Sequence, residues 1–551
     1  MSNRRLQGGE PAQADERSPL LPRPDGEGQG QNGAAPNLTS FPDQQEHALE
    51  QQQILPYKKL LIVFPALALV QFTSFLDQTA ISTAIPAIAK GVGAGSSISW
   101  VGASFLTANT AVQLINGRVS DIFGRKTMLI TSLFIMGLGN LLSGFSQTPP
   151  QLYATRALSG LGAGGINGLV QVTISDITTL EQRGNWFGII GIFVALGNGL
   201  GPVIGGYLTK AASWRWALWF ITPMSALAAL ILLLVLPPPS VSGSMRSKLG
   251  RVDWLGTLTS MIAVILLLIP ISQGGSALPW DSPIVITMLV LGAVFLVVFV
   301  LLEWRFVSLP IVPMRLFTNG YSANLLLAQN LAIGWVFWGN LFYLPLYFQN
   351  VRGFDPAAAG TLILPMVIAH GIFSGISGFL VSKTGGYYWI IITGATIWTV
   401  ATSLKIAYDQ TTPMWAFVVV GILEGLGVGF CFQPVLVALM ANSGTADRAV
   451  ITGLRNFLRA MGGAVGITVS GAVLGNVLTS GLKDRFPPEV VSQLASSVLS
   501  LPDLDLTQED RDLILRTYMK GIHIVFITFA PLIGLVLVSS IMIKNKPLSS
   551  K

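Results

Sequence analysis

Three ionisable residues stand deep inside apolar runs of the 551-residue chain: Asp77, Arg156 and Glu424. A charged side chain in hydrocarbon costs about 3 kcal/mol or more, so it persists only when it is paired, faces water, or acts on a proton or substrate. Asp77 lies about 26 Å along the apolar segment that begins near Leu60, and Arg156 about one turn into the segment that begins near Leu152. When successive segments cross in alternate directions, these two residues share one depth and can form an ion pair. Such a pair is either a permanent structural link, or one that opens when a proton binds Asp77, frees Arg156 and biases a two-state equilibrium. Glu424 lies about 15 Å into its segment, near the bilayer midplane. A carboxylate there can hold a cation, exchange a proton, or do both in turn; the alternative is a Glu neutralised by burial. His370 reaches similar depth and reads as a neutral histidine bonded to a carbonyl. Arg455 and Arg459 open a segment and read as side chains that reach back to its surface.

Polar residues within the apolar runs complete the set. Asn109, Gln113, Asn167, Gln171, Trp338 and Asn340 either line a cavity that reads a substrate or bond one helix to the next. The chain has one cysteine, Cys431, inside an apolar stretch, so neither an intrachain disulfide framework nor a cysteine-based metal site is expected. No nucleophile–base set, metal-ligand cluster or phosphate loop is apparent, which points away from an enzyme and from a cofactor.

The elements that hold these residues are membrane spans. The composition is 51% hydrophobic and only 11% charged, with mean hydropathy +0.62, against about 25% charge in ordinary soluble domains. Residues 1–56 are rich in Gln, Gly, Pro, Glu and Ser and read as a disordered tail. From Leu60 onward fourteen apolar stretches of about 20 residues follow, each long enough to cross a core about 30 Å thick. The last of them is expected at 522–543, after a long non-cytosolic loop at 479–521. Arg118, Arg125, Lys126, Arg183, Arg246, Lys248, Arg251, Arg305, Arg315, Lys383 and Arg448 fall in loops on one side, whereas short loops on the other hold only Lys90, Lys210, Arg215, Arg352 and, at a span end, Lys405. This bias places both termini in the cytosol. The net charge of +7 is then a topology signal, and no nucleic-acid partner is expected.

An internal repeat is visible. Gly117-Arg-Val-Ser-Asp121-Ile-Phe-Gly124-Arg125-Lys126 follows the second span, and Gly378-Phe-Leu-Val-Ser-Lys-Thr-Gly385 follows the tenth with the same glycine spacing. Eight spans separate the copies, so two extra spans lie between six-span halves. The expected divisions are a six-helix bundle at 57–237, a linker with two extra helices at 238–320, a second six-helix bundle at 321–545, and a short cytosolic tail at 546–551. Gly197, Gly201 and Gly205 recur every fourth residue beside Pro202 and Gly206, giving span 5 a smooth face for close packing and a place to flex. Gly160, Gly164 and Gly168 do the same for span 4.

These motifs resemble those of the major facilitator superfamily. Gly117 to Lys126 resembles its inner-loop signature, Arg156-Ala-Leu-Ser-Gly160 its span-4 signature, and Gly197 to Gly206 the span-5 motif of its antiporters. Leu76-Asp77-Gln-Thr79 with Ala84-Ile-Pro86, and Tyr343-Leu-Pro345-Leu-Tyr347 with Arg352-Gly353, resemble motifs of the fourteen-span drug:proton antiporter branch. The resemblance covers residues 57–545. It implies an all-α membrane protein with the major facilitator fold: two six-helix bundles plus two extra central helices. It further implies that Asp77 and Arg156 take part in proton coupling, that Gly117, Asp121, Gly124, Arg125 and Lys126 gate the transporter, and that the span-5 motif prevents leak.

Within that branch the sequence looks closest to fungal vacuolar basic-amino-acid transporters. Glu16-Arg-Ser-Pro-Leu20-Leu21 resembles an acidic dileucine sorting signal, for which an adaptor would be the partner. The expectation is therefore a monomeric proton-coupled antiporter that carries cationic solutes, foremost basic amino acids, from cytosol into the vacuole through its membrane. Glu424 and Asp77 would serve both coupling and substrate. The alternatives are a plasma-membrane efflux pump for drugs or secondary metabolites, and a nutrient sensor that binds ligand without moving it.

Overall fold

A computed structural model describes residues 55–548 apart from 95–96, 99, 237–244, 275–278, 308–309, 319, 355, 445–446 and 488–506. The tail signal at Glu16, Leu20 and Leu21 lies outside the described residues. The described chain folds into fourteen long helices. The first six are α1 Tyr57–Ala80, α2 Trp100–Phe123, α3 Arg125–Phe145, α4 Pro149–Ile177, α5 Leu180–Ala211 and α6 Ile221–Val235. Two follow as α7 Trp254–Gln273 and α8 Pro283–Arg305. The last six are α9 Tyr321–Asn350, α10 Leu364–Thr384, α11 Tyr388–Leu404, α12 Met414–Ala441, α13 Arg448–Leu482 and α14 Gln508–Ile541. Thirteen of the fourteen, counting α6 together with the short helix Trp214–Trp219 before it, are long and apolar enough to cross a membrane. The exception, α2, is 24 residues long but carries Asn109, Gln113, Asn116, Arg118 and Asp121, which lower its hydropathy.

One boundary differs from expectation. α14 begins at Gln508, well before 522, because the hydroxyl of Thr507 accepts the Asp510 amide and Glu509 and Asp510 occupy the first turn. Carboxylates there interact favourably with the helix dipole. Arg485, just beyond α13, binds Asp510 at 3.0 Å, so the two long helices are tied where a long loop was expected.

Helix packing repeats at an offset of eight. α1 packs on α4, α5 and α6, α2 on α4, and α3 on α4 and α6; equally, α9 packs on α12, α13 and α14, α10 on α12, and α11 on α12 and α14. Between the two sets, α5 packs on α10 and α2 on α13, which are equivalent pairs under the same offset. α7 and α8 pack on each other, and α7 leans on α2 and α13. Only 17% of the apolar window of α8 is buried, so most of this helix, away from its contact with α7, faces outward.

The seam between the two sets is close enough to require glycine. A Cβ at Gly184 would stand 2.7 Å from the Gly378 carbonyl oxygen, and one at Gly117 would stand 2.8 Å from that of Ala449. Both contacts lie at the end of the molecule that carries Arg125. The turn joining α2 to α3 at that end passes through Gly124 with φ 90°, a conformation that a side chain disfavours.

Candidate transport site

Asp77 near the end of α1 and Arg156 in α4 form a direct ion pair: Arg156 Nη1 donates to Asp77 Oδ1 at 2.9 Å, and both side chains are 1% exposed. A third residue joins them. Asn140 of α3 donates through Nδ2 to Asp77 Oδ2 at 2.9 Å and accepts from Arg156 Nη1 at 2.9 Å. The Phe105 ring of α2 lies 4.5 Å from the guanidinium. The amide and the ring reduce the cost of burying the charge.

Glu424 has a partner that the sequence places at a span end. Lys405, on the turn that follows α11, points inward, and its Nζ donates to Glu424 Oε1 at 2.8 Å and Oε2 at 2.9 Å. Asn340 of α9 donates to Glu424 Oε1 at 2.5 Å and accepts from Lys405 Nζ, while the Trp398 indole donates to Oε1 at 3.3 Å. Lys405 and Glu424 are each 1% exposed. The carboxylate is thus engaged by α9 and α11, within the second helix set, and Lys405 neutralises it. The turn beyond Lys405 is fastened down: Tyr347 donates to the Asp409 carbonyl at 2.6 Å, and the Tyr408 carbonyl meets His523 of α14. On its exposed outer side, the hydroxyl and amide of Thr411 bond the Asp409 carboxyl and hold it below the usual carboxylate range.

Beside Asn456, which crosses to the other helix set, α13 turns two arginines inward. Arg455 of α13 is 1% exposed and donates to the Phe432 carbonyl at 2.6 Å and to Asn456 Oδ1 at 3.1 Å, so it does not reach back to the surface. Arg459, one turn on and half-buried, lies over the Phe432 ring at 4.9 Å and reaches Asn456 Oδ1 only at 3.4 Å. Neither arginine forms an ion pair among the described residues, and Arg455 Nε lacks a hydrogen-bond partner. Asn456 in turn donates to Gln171 of α4 at 3.1 Å, linking the two helix sets. His370 packs edge-on against Phe337 and Phe432, at 5.8 and 5.3 Å between ring centres. Its Nε2 has no hydrogen-bond partner.

The remaining polar residues separate by role. Asn167 accepts from Gln71 at 3.2 Å and from Ser74 at 3.3 Å, holding α1 to α4, and Gln113 donates to Asn109 at 2.7 Å within α2. Trp338 packs against Gly463 of α13. Gly197, Gly201 and Gly205 face α1, where a Cβ at Gly205 would overlap the Ala80 carbonyl, whereas one at Gly206 would meet Thr83 at an ordinary 3.5 Å. The Thr83 hydroxyl donates to the Pro202 carbonyl at 2.9 Å. In α4, Gly160 and Gly164 pack on backbone of α2, but a Cβ at Gly168 would meet nothing within 4 Å, so that position does not belong to the close-packed face.

At the Arg125 end, Asp121 and Asp176 grip Arg125 at 2.5 and 2.8 Å, and Lys126 donates to the carbonyls of Leu233 and Leu236. The link to the other helix set runs through residues outside the expected gating group. Asp447 binds Arg315 at 2.8 Å and Arg118 at 3.9 Å, and Arg118 also donates to the Pro310 carbonyl at 2.8 Å.

Known proteins match this arrangement. A family model described as Major Facilitator Superfamily matches residues 67–467. The chain is 39% identical over 503 residues to Citrate exporter 1 of Yarrowia lipolytica, covering 91% of this chain and 74% of that protein. It is 34% identical over 482 residues to the MFS-type transporter clz4 of Cochliobolus lunatus, covering 87% and 85%. It is also 34% identical over 419 residues to the efflux pump dotC of Dothistroma septosporum, covering 76% and 72%. The crystal structure of the human organic anion transporter MFSD10 has the same fold, with TM-score 0.57 at 14% identity, covering 89% of this chain and all of that one. With two matching helix sets, charges buried within the spans and these relatives, the chain belongs to the Major Facilitator Superfamily, as a multi-pass membrane transporter and not an enzyme.

Proposed function

We propose that the protein exports a carboxylate-bearing organic anion from the cytosol in exchange for protons. The observation that carries this reading is the charge left over in the interior. Asp77 and Glu424 are each matched by a buried base, whereas Arg455 and Arg459 at the seam have no carboxylate partner among the described residues. Arg459 begins about 16 Å along α13, near the midplane depth at which such transporters bind substrate. A guanidinium there, loosely held and backed by an aromatic ring, suits a planar carboxylate, which it can grip through two parallel hydrogen bonds. The similarity to a citrate exporter supports the same substrate class.

Proton coupling fits the Asp77–Asn140–Arg156 triad. Protonating Asp77 removes the ion pair and leaves Arg156 on Asn140 and Phe105, which alters the balance between the two access states. Residues 57–237 and 321–545 are read as the two rocking bundles, with the Asp447 link closing their cytosolic side.

Basic amino acids are the second reading, favoured by the antiporter-like glycines of α5 and by the tail pattern at Glu16, Leu20 and Leu21. It implies a vacuolar membrane, whereas an anion exporter or an efflux pump fits the plasma membrane. Against it stands the charge near the seam: a cationic solute would meet two arginines, and Asp77 and Glu424 each already hold a base. Uptake of labelled citrate, arginine, lysine and a lipophilic cation by proteoliposomes separates these readings. The anion reading requires proton-stimulated movement of citrate and none of arginine or lysine; the reverse pattern overturns it.

A further inference from the structure

The two buried triads share one bonding pattern, although their residues are permuted along the chain. In the first set the acid is on α1, the amide on α3 and the base on α4; in the second the amide is on α9, the base on the turn ending α11 and the acid on α12. Under the eight-helix offset these are the same three helix positions. In each triad the base donates directly to the acid, and one asparagine both accepts from the base and donates to the acid. In each, an aromatic ring from a further helix faces the base: Phe105 lies 4.5 Å from Arg156, and Phe526 of α14 lies 5.6 Å from Lys405.

We propose that Glu424, Lys405 and Asn340 form a second proton-exchange site, so that a full cycle carries two protons, one in each half of the transporter. The inference rests on the antiport reading. A structural ion pair needs no reserve partner for its base, but a pair that opens does, because breaking it strands a buried cation. Here Asn340 Oδ1 and the Phe526 ring supply that reserve. When a proton binds Glu424, the carboxylate becomes a neutral carboxyl, its bonds to Lys405 weaken, and the ammonium stays on the amide and the ring. Loss of the proton restores the pair, so proton and charge balance over the cycle.

The groups facing this site from each neighbouring element are few. α9 contributes Asn340, and α11 contributes Trp398 and Lys405. The following turn contributes Tyr408, and α14 contributes Phe526 together with His523, whose ring is held by the Tyr408 carbonyl. From α10, His370 faces Phe337 and Phe432. Lys405 is therefore the sole cation paired with Glu424 among the described residues.

Infrared difference spectra of the reconstituted protein between acidic and alkaline buffer count protonatable buried carboxyls without requiring any substrate. Besides any band from Glu303, a buried carboxyl outside both triads, two carboxyl C=O bands are expected, one lost in Asp77→Asn and the other in Glu424→Gln and in the charge-balanced double variant Lys405→Met/Glu424→Gln. A Glu424→Gln spectrum identical to that of the unmodified protein overturns the second site. With labelled citrate as probe, accumulation at zero membrane potential should fall from a proton contribution of about a hundredfold per pH unit to about tenfold in Glu424→Gln. An unchanged ratio also overturns it. If citrate is not carried at all, the substrate reading fails while the infrared bands still decide the proton site.

Discussion

Lys405 and Glu424 meet through both carboxylate oxygens, at 2.8 and 2.9 Å, with neither side chain more than 1% exposed. Removing one member strands the other as a buried, unpaired charge, which costs about 3–5 kcal/mol, whereas replacing both with neutral groups of similar size is often nearly neutral. Lys405→Met should therefore lower Tm in detergent sharply, and adding Glu424→Gln should restore much of it. Equal Tm losses in the single and double variants would show that the two residues are not coupled.

Asn140 holds both members of the other pair. Asn140→Leu keeps the volume but leaves Asp77 Oδ2 without its donor, a loss of about 1–3 kcal/mol for a buried polar group. Thermal unfolding should register that loss, and proton-stimulated uptake should fall with it. Uptake and Tm both at the unmodified level would reduce Asn140 to a bystander.

Neighbouring glycines of α5 should respond oppositely. A methyl at Gly205 overlaps the Ala80 carbonyl, whereas one at Gly206 meets Thr83 at 3.5 Å. Gly205→Ala should cost about 1–3 kcal/mol or force α1 and α5 apart. Gly206→Ala should change Tm little. Similar Tm values for the two variants would contradict the packing described for this face.

On the proposed reading, closure at the Arg125 end should depend on Asp447 more than on the Asp121–Arg125 pair, because Asp447, held by Arg315, reaches Arg118 across the seam. Asp447→Asn should open the contact between Gly117 and Ala449. Cys431 is fully buried, so a cysteine introduced at Ala449 can be followed with a cytosolic thiol reagent. Its labelling rate should rise severalfold in the Asp447→Asn background; an unchanged rate would place the closure elsewhere.

Asp77, Arg156 and Glu424 were visible in the sequence because a charge within an apolar run is anomalous wherever it occurs. Lys405 was not, since a lysine at a span end ordinarily reaches to the surface, and only the fold shows it turned inward. Asn140 was hidden for another reason: an asparagine in a span is indistinguishable from the amides that merely bond helices together. The early start of α14 had a signal in Thr507-Gln-Glu-Asp510, a helix-opening pattern, but the hydrophilic residues after it mask the helix from any reading based on apolar length. Arg455 and Arg459 read from sequence as surface-seeking; what gives them meaning is that no carboxylate among the described residues pairs with them, a three-dimensional fact.

The central claim is that the seam binds an anion through Arg459, and citrate binding to purified protein tests it most directly. Arg459 makes no ion pair among the described residues, so Arg459→Gln should fold normally while removing a charge-assisted contact worth about 1.5–3 kcal/mol, or about 10- to 100-fold in Kd. The account predicts calorimetric binding of citrate to the unmodified protein, weakened by that factor in Arg459→Gln, and no binding of lysine or arginine. Lysine binding that strengthens in Arg459→Gln, with citrate inert to both proteins, would contradict it.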